Sequence, residues 1–302
     1  VNMTATLEYK AQPVDATDAA VKVTLHKLFG GHSGLEINEG RCNANKAMAR
    51  LVQDAIANFE ACLAEWKGGN MRNAIPSSAE VVLTLPKENV EAFKEVVAEW
   101  RQTFKDEYDP IETTLELDVE DVALPAEIVP QEIQDNLVDA LCAVHNGVYR
   151  MIPYDKAIVE TSSNLAIVEI GEGKAKFLIL IRSSRDSMRE CCVETLESAF
   201  SMAGMKVETD GDYPAWQPNP HSEIVEVMKN IYRELFNEEN NVTVVHAGLE
   251  CGVIGALRPN MDLVSFGPTL RSPHTPNERC YIPSVDKYWT FVKTILERVP
   301  EK

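Results

Sequence analysis

The sequence predicts a mixed α/β and α+β fold in two parts. Over residues 1–209 it predicts two α+β halves whose strands share one β-sheet with helices on one face. Over residues 210–302 it predicts the C-terminal segment of a doubly wound α/β domain. Three observations carry this expectation. Short β-branched runs and helical apolar spacings alternate twice before Thr209. The stretch Asp210–Pro220, DGDYPAWQPNP, concentrates three prolines, two acids in its first three residues and a glycine, and breaks the pattern. Beyond it, helix and short apolar strand follow one another in the βα order of a parallel sheet.

Each element has its own justification. Thr4–Tyr9 and Ala20–Leu28 alternate apolar and polar residues as half-buried strands do. From Asn43 to about Trp66, the residues Ala47, Leu51, Ala55, Ile56, Phe59 and Leu63 recur at helical spacing, and Gly68-Gly69 is the expected stop. Strand Ala79–Leu85, helix Glu88–Phe104 and strand Thr113–Val119 follow. A second cycle opens at Pro130 with helix Glu132–Val144, strands Val148–Ile152, Leu165–Ile170 and Lys176–Arg182, helix Asp186–Ala203 and strand Lys206–Thr209. No residue-level repeat is visible, so the duplication rests on element order. The last part reads as helix Ser222–Phe236, strand Val242–His246, a helix after Gly252, strand Asp262–Phe266 and helix Val285–Leu296. Two short parallel strands with three helices form a poor core and need the rest of a sheet.

Charge and cysteine usage exclude several function classes. Against 29 Lys and Arg stand 47 Asp and Glu, a net charge of -18, which repels phosphate backbones and argues against a nucleic-acid partner. No run approaches the roughly 18 apolar residues of a membrane span, and no basic-then-apolar leader opens the chain. The seven cysteines are irregularly spaced without CxxC, which fits a reducing cytoplasm and neither a disulfide framework nor a structural zinc site. The chain begins VNMTATLEYK without an initiator methionine, and the expectation is a piece of a longer polypeptide.

Candidate chemistry gathers at loops. His274 lies between Pro273 and Pro276, whose fixed φ lowers the entropy cost of aiming an imidazole, at the mouth of the expected strand Met261–Phe266. His246 and Glu250 flank the Gly248–Gly252 loop after the preceding strand, and imidazole with carboxylate is a donor set for a catalytic zinc. His246 faces either a cleft or the core. His32, inside Gly30-Gly31-His32-Ser33-Gly34, is either part of a flexible turn or a donor to a developing oxyanion. Arg182 ends an apolar strand, as a surface charge or as a fork for a carboxylate. Asn164, in SSNLAIVE, reads by itself as a turn residue. His26, His145 and His221 read as structural.

The segments HAGLECG and SFGPTLRSPHTPNER, with GGHSGLEI followed by GRCNANK, resemble the aminoacyl-histidine dipeptidases, the cytosolic, carnosine-hydrolysing Xaa-His members of the M20 metallopeptidase family. The resemblance implies a lid or dimerisation-type domain over residues 1–209 and the C-terminal part of a zinc-peptidase catalytic domain over residues 210–302. It implies two zinc ions in the intact enzyme, a small dipeptide substrate, a cytoplasmic location and a homodimer formed at exposed strand edges. It assigns His274 to the metal, His32 to the oxyanion and Arg182 to the substrate carboxylate. It places Asn164, Gly248, Glu250 and Gly252 around the substrate. The family's HxD pair, bridging aspartate and Glu-Glu pair have no counterpart here, so the chain alone is expected to bind zinc weakly and to hydrolyse nothing. Another M20 amidohydrolase and a non-catalytic dimerisation or binding module are the alternatives.

Overall fold

The chain, seen as a computed structural model, is described for residues 1–211, 214–217, 219–244, 246, 249–271 and 278–298. It divides into two compact units, residues 1–212 with 245–247, and residues 213–244 with 248–302.

In the first unit, alternating apolar residues build nine strands of one sheet. They are β1 (Asn2–Glu8), β2 (Asp18–His26), β3 (Cys62–Gly68), β4 (Ala79–Pro86), β5 (Glu116–Val122), β6 (Gly147–Ile152), β7 (Asp155–Gly171), β8 (Lys174–Ser183) and β9 (Lys206–Asp210). Helices α1 (Ala44–Phe59), α2 (Val90–Tyr108), α3 (Gln131–Ala143) and α4 (Asp186–Met202) pack with the sheet into one hydrophobic core. The order across the sheet is β9-β1-β8-β7-β3-β4-β2-β5, with β6 also paired to β7, and every pair is antiparallel.

That order repeats itself. The run β2-α1-β3-β4-α2-β5 is a βαββαβ unit whose strands lie in the order second, third, first, fourth. The set β1-α3-β7-β8-α4-β9 has the same succession and the same order, so the first unit is threaded between β1 and α3 of the second. The two halves expected from element order thus share one sheet, joined where Val168, Glu169 and Ile170 pair with Gly68, Lys67 and Trp66. The opening strand belongs to the second half rather than the first.

Two boundaries in this unit depart from the sequence reading. The helix expected to reach Trp66 ends at Phe59, capped by Glu60 at φ 56°, and Cys62–Gly68 is a strand. A bulge between Leu63 and Glu65 lets Leu63 and Trp66, three residues apart, both reach the core. A bulged strand therefore reproduces helical spacing. Strand β7 begins at Asp155, ten residues before the expected Leu165, because Glu160–Asn164 is a polar run that is nonetheless buried.

Lys46 on α1 joins the layers: its Nζ donates to the carbonyls of Leu141, Cys142 and Val144, at 2.6, 2.7 and 2.8 Å. These are carbonyls at the C-terminal end of α3 that have no partner within the helix, where a cation is favoured.

In the second unit, α5 (Glu223–Phe236) packs on α7 (Pro283–Arg298) through Met228, Ile231, Phe291 and Ile295, and α6 (Glu250–Leu257) follows. The Asp262 carboxylate accepts hydrogen bonds from Ser222 Oγ and Ile224 N at the start of α5, at 2.9 and 3.0 Å. The strands expected at Val242–His246 and Asp262–Phe266 are not formed among the described residues. Parallel strands need neighbours on both edges and cover on both faces; Val242 is 48% exposed, and Phe266, whose ring meets only Tyr288 and Phe291 of α7 among the described aromatic rings, is still 41% exposed.

Candidate functional site

The site is built around a loop held by glycines. Gly30 and Gly31 adopt φ of 61° and 135°, which L side chains rarely do. A Cβ at Gly31 would sit 2.3 Å from Arg41 Nη1, so the glycine admits the guanidinium. Arg41 Nη1 donates to the Gly30 carbonyl at 2.6 Å, and its Nη2 binds Glu36 Oε1 and Glu39 Oε2, each at 2.6 Å. Glu36 Oε2 in turn accepts from His32 N at 2.6 Å. His32 lies on the short strand Gly31–His32, paired with Ala74–Ile75.

The imidazole is oriented by its own turn. His32 Nδ1 accepts from the amides of Gly34 and Leu35, at 3.1 and 3.0 Å. A nitrogen that accepts two N–H groups carries no proton, so the ring proton of the neutral form is on Nε2.

Arg182, near the end of β8, lies opposite Ser162 of β7. Its aliphatic stem crosses Gly34, where a Cβ would come within 3.2 Å of Arg182 Cδ and 2.2 Å of the His246 carbonyl oxygen. Burial pushes the Arg182 guanidinium below its ordinary pKa, and among the described residues its buried Nε has no hydrogen-bond partner. A buried N–H donor left unpaired is costly, about 1–3 kcal/mol.

His246, read from sequence as facing either cleft or core, joins this group in the first unit. Its Nε2 shares a 2.8 Å hydrogen bond with Ser162 Oγ. Burial, with Arg182 and His32 adding their field, pushes its imidazole down to about 4. The unfolded chain takes up this proton near the ordinary value of 6.5, so protonation favours release of the contact. Its stability is fully present above that value and is lost as the pH falls toward 4, by about 3 kcal/mol. In an NMR titration the His246 ring is expected to stay neutral down to about pH 4, and His246→Gln to flatten the acid limb of the stability curve. Titration of that ring near 6.5 would contradict the burial.

Asn164 is fully buried on β7. Its Nδ2 donates to the Ala74 carbonyl at 2.8 Å, tying the strand paired with His32 to the main sheet, and its Oδ1 accepts from Asn43 at 3.5 Å. His145 Nδ1 shares a 2.8 Å bond with Ser163 Oγ, and His26 Nε2 pairs with Asp118 Oδ2 across strands, both in structural roles. His32, Arg182 and Asn164 thus fall in one unit. Glu250 and Gly252 open α6 in the other, with Glu250 exposed and Gly252 buried. His274 and Gly248 lie outside the described residues.

Among the described residues no group of three or more His, Cys, Asp or Glu is placed to hold a metal ion. Sequence reasoning passed over Ser162, the packing role of Gly34, and Glu112. The small polar run TSSN ahead of LAIVEI was the available signal for Ser162.

Residues 23–112 match the family model described as the M20 peptidase dimerisation domain. Over its whole length the chain is 35% identical to the cytosol non-specific dipeptidase of Escherichia coli strain K12, of which it covers 62%. It superposes with a TM-score of 0.92 and 37% identity on the crystal structure of aminoacylhistidine dipeptidase from Vibrio alginolyticus, matching all of this chain and 61% of that one. The chain therefore spans under two thirds of the length of both. No described helix is long and apolar enough to cross a membrane.

Proposed function

We propose, on the premise that the chain belongs to the M20 peptidase family and carries its dimerisation domain, that the intact protein is a dipeptidase hydrolysing Xaa-His dipeptides such as carnosine. The observation that carries this reading is the pairing of an imidazole fixed as the Nε2–H tautomer with a buried arginine whose Nε has no partner among the described residues. Peptide hydrolysis passes through a tetrahedral oxyanion, and a preorganised N–H donor lowers the barrier to it. His32 Nε2–H is that donor. Arg182 takes the C-terminal carboxylate of the dipeptide, a charge-assisted contact that repays its burial. Asn164 shapes the substrate pocket by fixing the ribbon behind His32.

In the same reading, Gly248, Glu250 and Gly252 lie along the substrate and His274 is a metal ligand. Peptidases of this family are generally dinuclear metalloenzymes, and ions bound in the intact protein would supply Lewis-acid polarisation of the scissile carbonyl and an activated water. A cytoplasmic homodimer fits the relative's name and the dimerisation model.

The test compares an Xaa-His dipeptide with its C-terminal amide. The intact protein is expected to cleave the free acid and to discriminate strongly against the amide. Arg182→Met, which keeps the aliphatic stem, is expected to raise KM for the free acid about ten- to a hundredfold and to abolish the discrimination. Equal turnover of acid and amide by the unmodified protein would remove Arg182 from the carboxylate.

A further inference from the structure

The loop that carries His32 is closed at its stem by one carboxylate. Glu112, just after α2, is 3% exposed. Its Oε2 accepts from Phe29 N at 2.8 Å and its Oε1 from Cys42 N at 3.0 Å, so a single side chain spans both ends of residues 29–42. Burying a carboxylate is expensive unless hydrogen bonds satisfy it. Two backbone amides are what it has gained, one from each end of the loop.

The stem connects to the imidazole through consecutive contacts. Cys42 is held by Glu112, and the neighbouring Arg41 binds the Gly30 carbonyl and Glu36. Glu36 holds His32 N, and the turn that follows presents the Gly34 and Leu35 amides to His32 Nδ1. Opening the stem lets Arg41 shift, and with it the turn that fixes the ring's tautomer and direction.

We propose that Glu112 is a positioning residue for His32, acting by holding the two ends of its loop at one carboxylate. The catalytic part of this inference rests on the role given to His32 above. Glu112→Gln preserves shape, but an amide accepts at only one of its two ends and turns N–H groups on the other donor. Displacement of a catalytic group by about 1 Å can cost a hundredfold in rate. In the intact protein, Glu112→Gln is expected to lower kcat about ten- to a hundredfold with KM for the dipeptide little changed.

Two controls separate positioning from general weakening. Thr114→Ala removes a bond from Thr114 Oγ1 to the Lys27 carbonyl, made at 2.6 Å by the same segment, and is expected to leave kcat unchanged. In a His32→Ala background, Glu112→Gln is expected to cost less than about twofold, since coupled residues are not additive. The same loss on top of His32→Ala, or full kcat in Glu112→Gln, overturns the proposal. Should the glutamine variant not fold, Glu112→Asp, which keeps the charge but cannot reach both amides, takes its place. If His32→Ala itself leaves turnover intact, the reading of His32 fails, and the stem is judged by spectroscopy alone. The 15N shifts of the His32 ring report its tautomer whether or not it takes part in turnover. They are expected to move in Glu112→Gln and to stay fixed in Thr114→Ala; an unmoved His32 spectrum in Glu112→Gln refutes the positioning role.

Discussion

His32→Ala in the intact protein is expected to lower kcat for an Xaa-His dipeptide about a hundred- to a thousandfold, the usual effect of removing one oxyanion donor. KM should change little, because the contact strengthens only as charge develops on the carbonyl oxygen. Stability should fall far less than activity: the ring is half-buried, and its contacts to the fold include acceptance from the Gly34 and Leu35 amides. His32→Asn is the informative companion. A shorter side chain can still accept from the turn, so the loop is retained, but its amide does not reach as far as Nε2. Both variants should therefore be slow and both folded. Steady-state kinetics beside a thermal melt checks this; a variant with unchanged kcat, or one whose KM alone rises, would take His32 away from the transition state.

The largest expected effect on stability is at Trp66. Its side chain is fully buried on β3, its backbone pairs with Ile170 where the two βαββαβ halves meet, and its Nε1–H donates to Asn45 Oδ1 at 3.3 Å. Trp66→Ala removes an indole from a core that cannot fully collapse and leaves Asn45 Oδ1 without that donor. The expected loss is about 3–5 kcal/mol. Trp66→Phe fills most of the space and gives up mainly the hydrogen bond, about 1–2 kcal/mol. Urea unfolding of both variants measures the difference. A loss below about 1 kcal/mol for Trp66→Ala would mean that the seam between the halves carries little of the fold.

How much of this was legible in the sequence follows from what each residue pattern encodes. The two α+β halves were readable from alternation and helical spacing, because both periods survive wherever one face of an element is buried. The threading of one half inside the other was not, since β1 pairs with β8 and β9, and pairing at such sequence separations leaves no local mark. Strand β3 was read as helix for a definite reason: its bulge sets Leu63 and Trp66 three apart on one face.

The polar start of β7 was hidden because Thr161, Ser162, Ser163 and Asn164 are buried by hydrogen bonds to residues far along the chain, namely Ser183, His246, His145 and Ala74. At the site, His32 and Arg182 were legible as residue types in suggestive settings, a glycine cluster and a strand end. Their closeness was not, because it depends on Gly34 letting the Arg182 stem pass over the loop. Glu112 left no signal: one glutamate after a helix differs from its neighbours only in the two amides it meets. Beyond residue 240, the strand readings at Val242–His246 and Asp262–Phe266 came from β-branched and apolar runs, and such runs become strands only where a sheet receives them.

The most direct measurement is a crystal structure of the intact protein bound to a phosphinic analogue of an Xaa-His dipeptide, whose phosphinyl oxygen stands in for the oxyanion. His32 Nε2 is expected at about 3 Å from that oxygen, with the Arg182 guanidinium on the analogue's carboxylate. An analogue bound with the His32 ring turned away and its carboxylate held by some other cation would contradict both contacts.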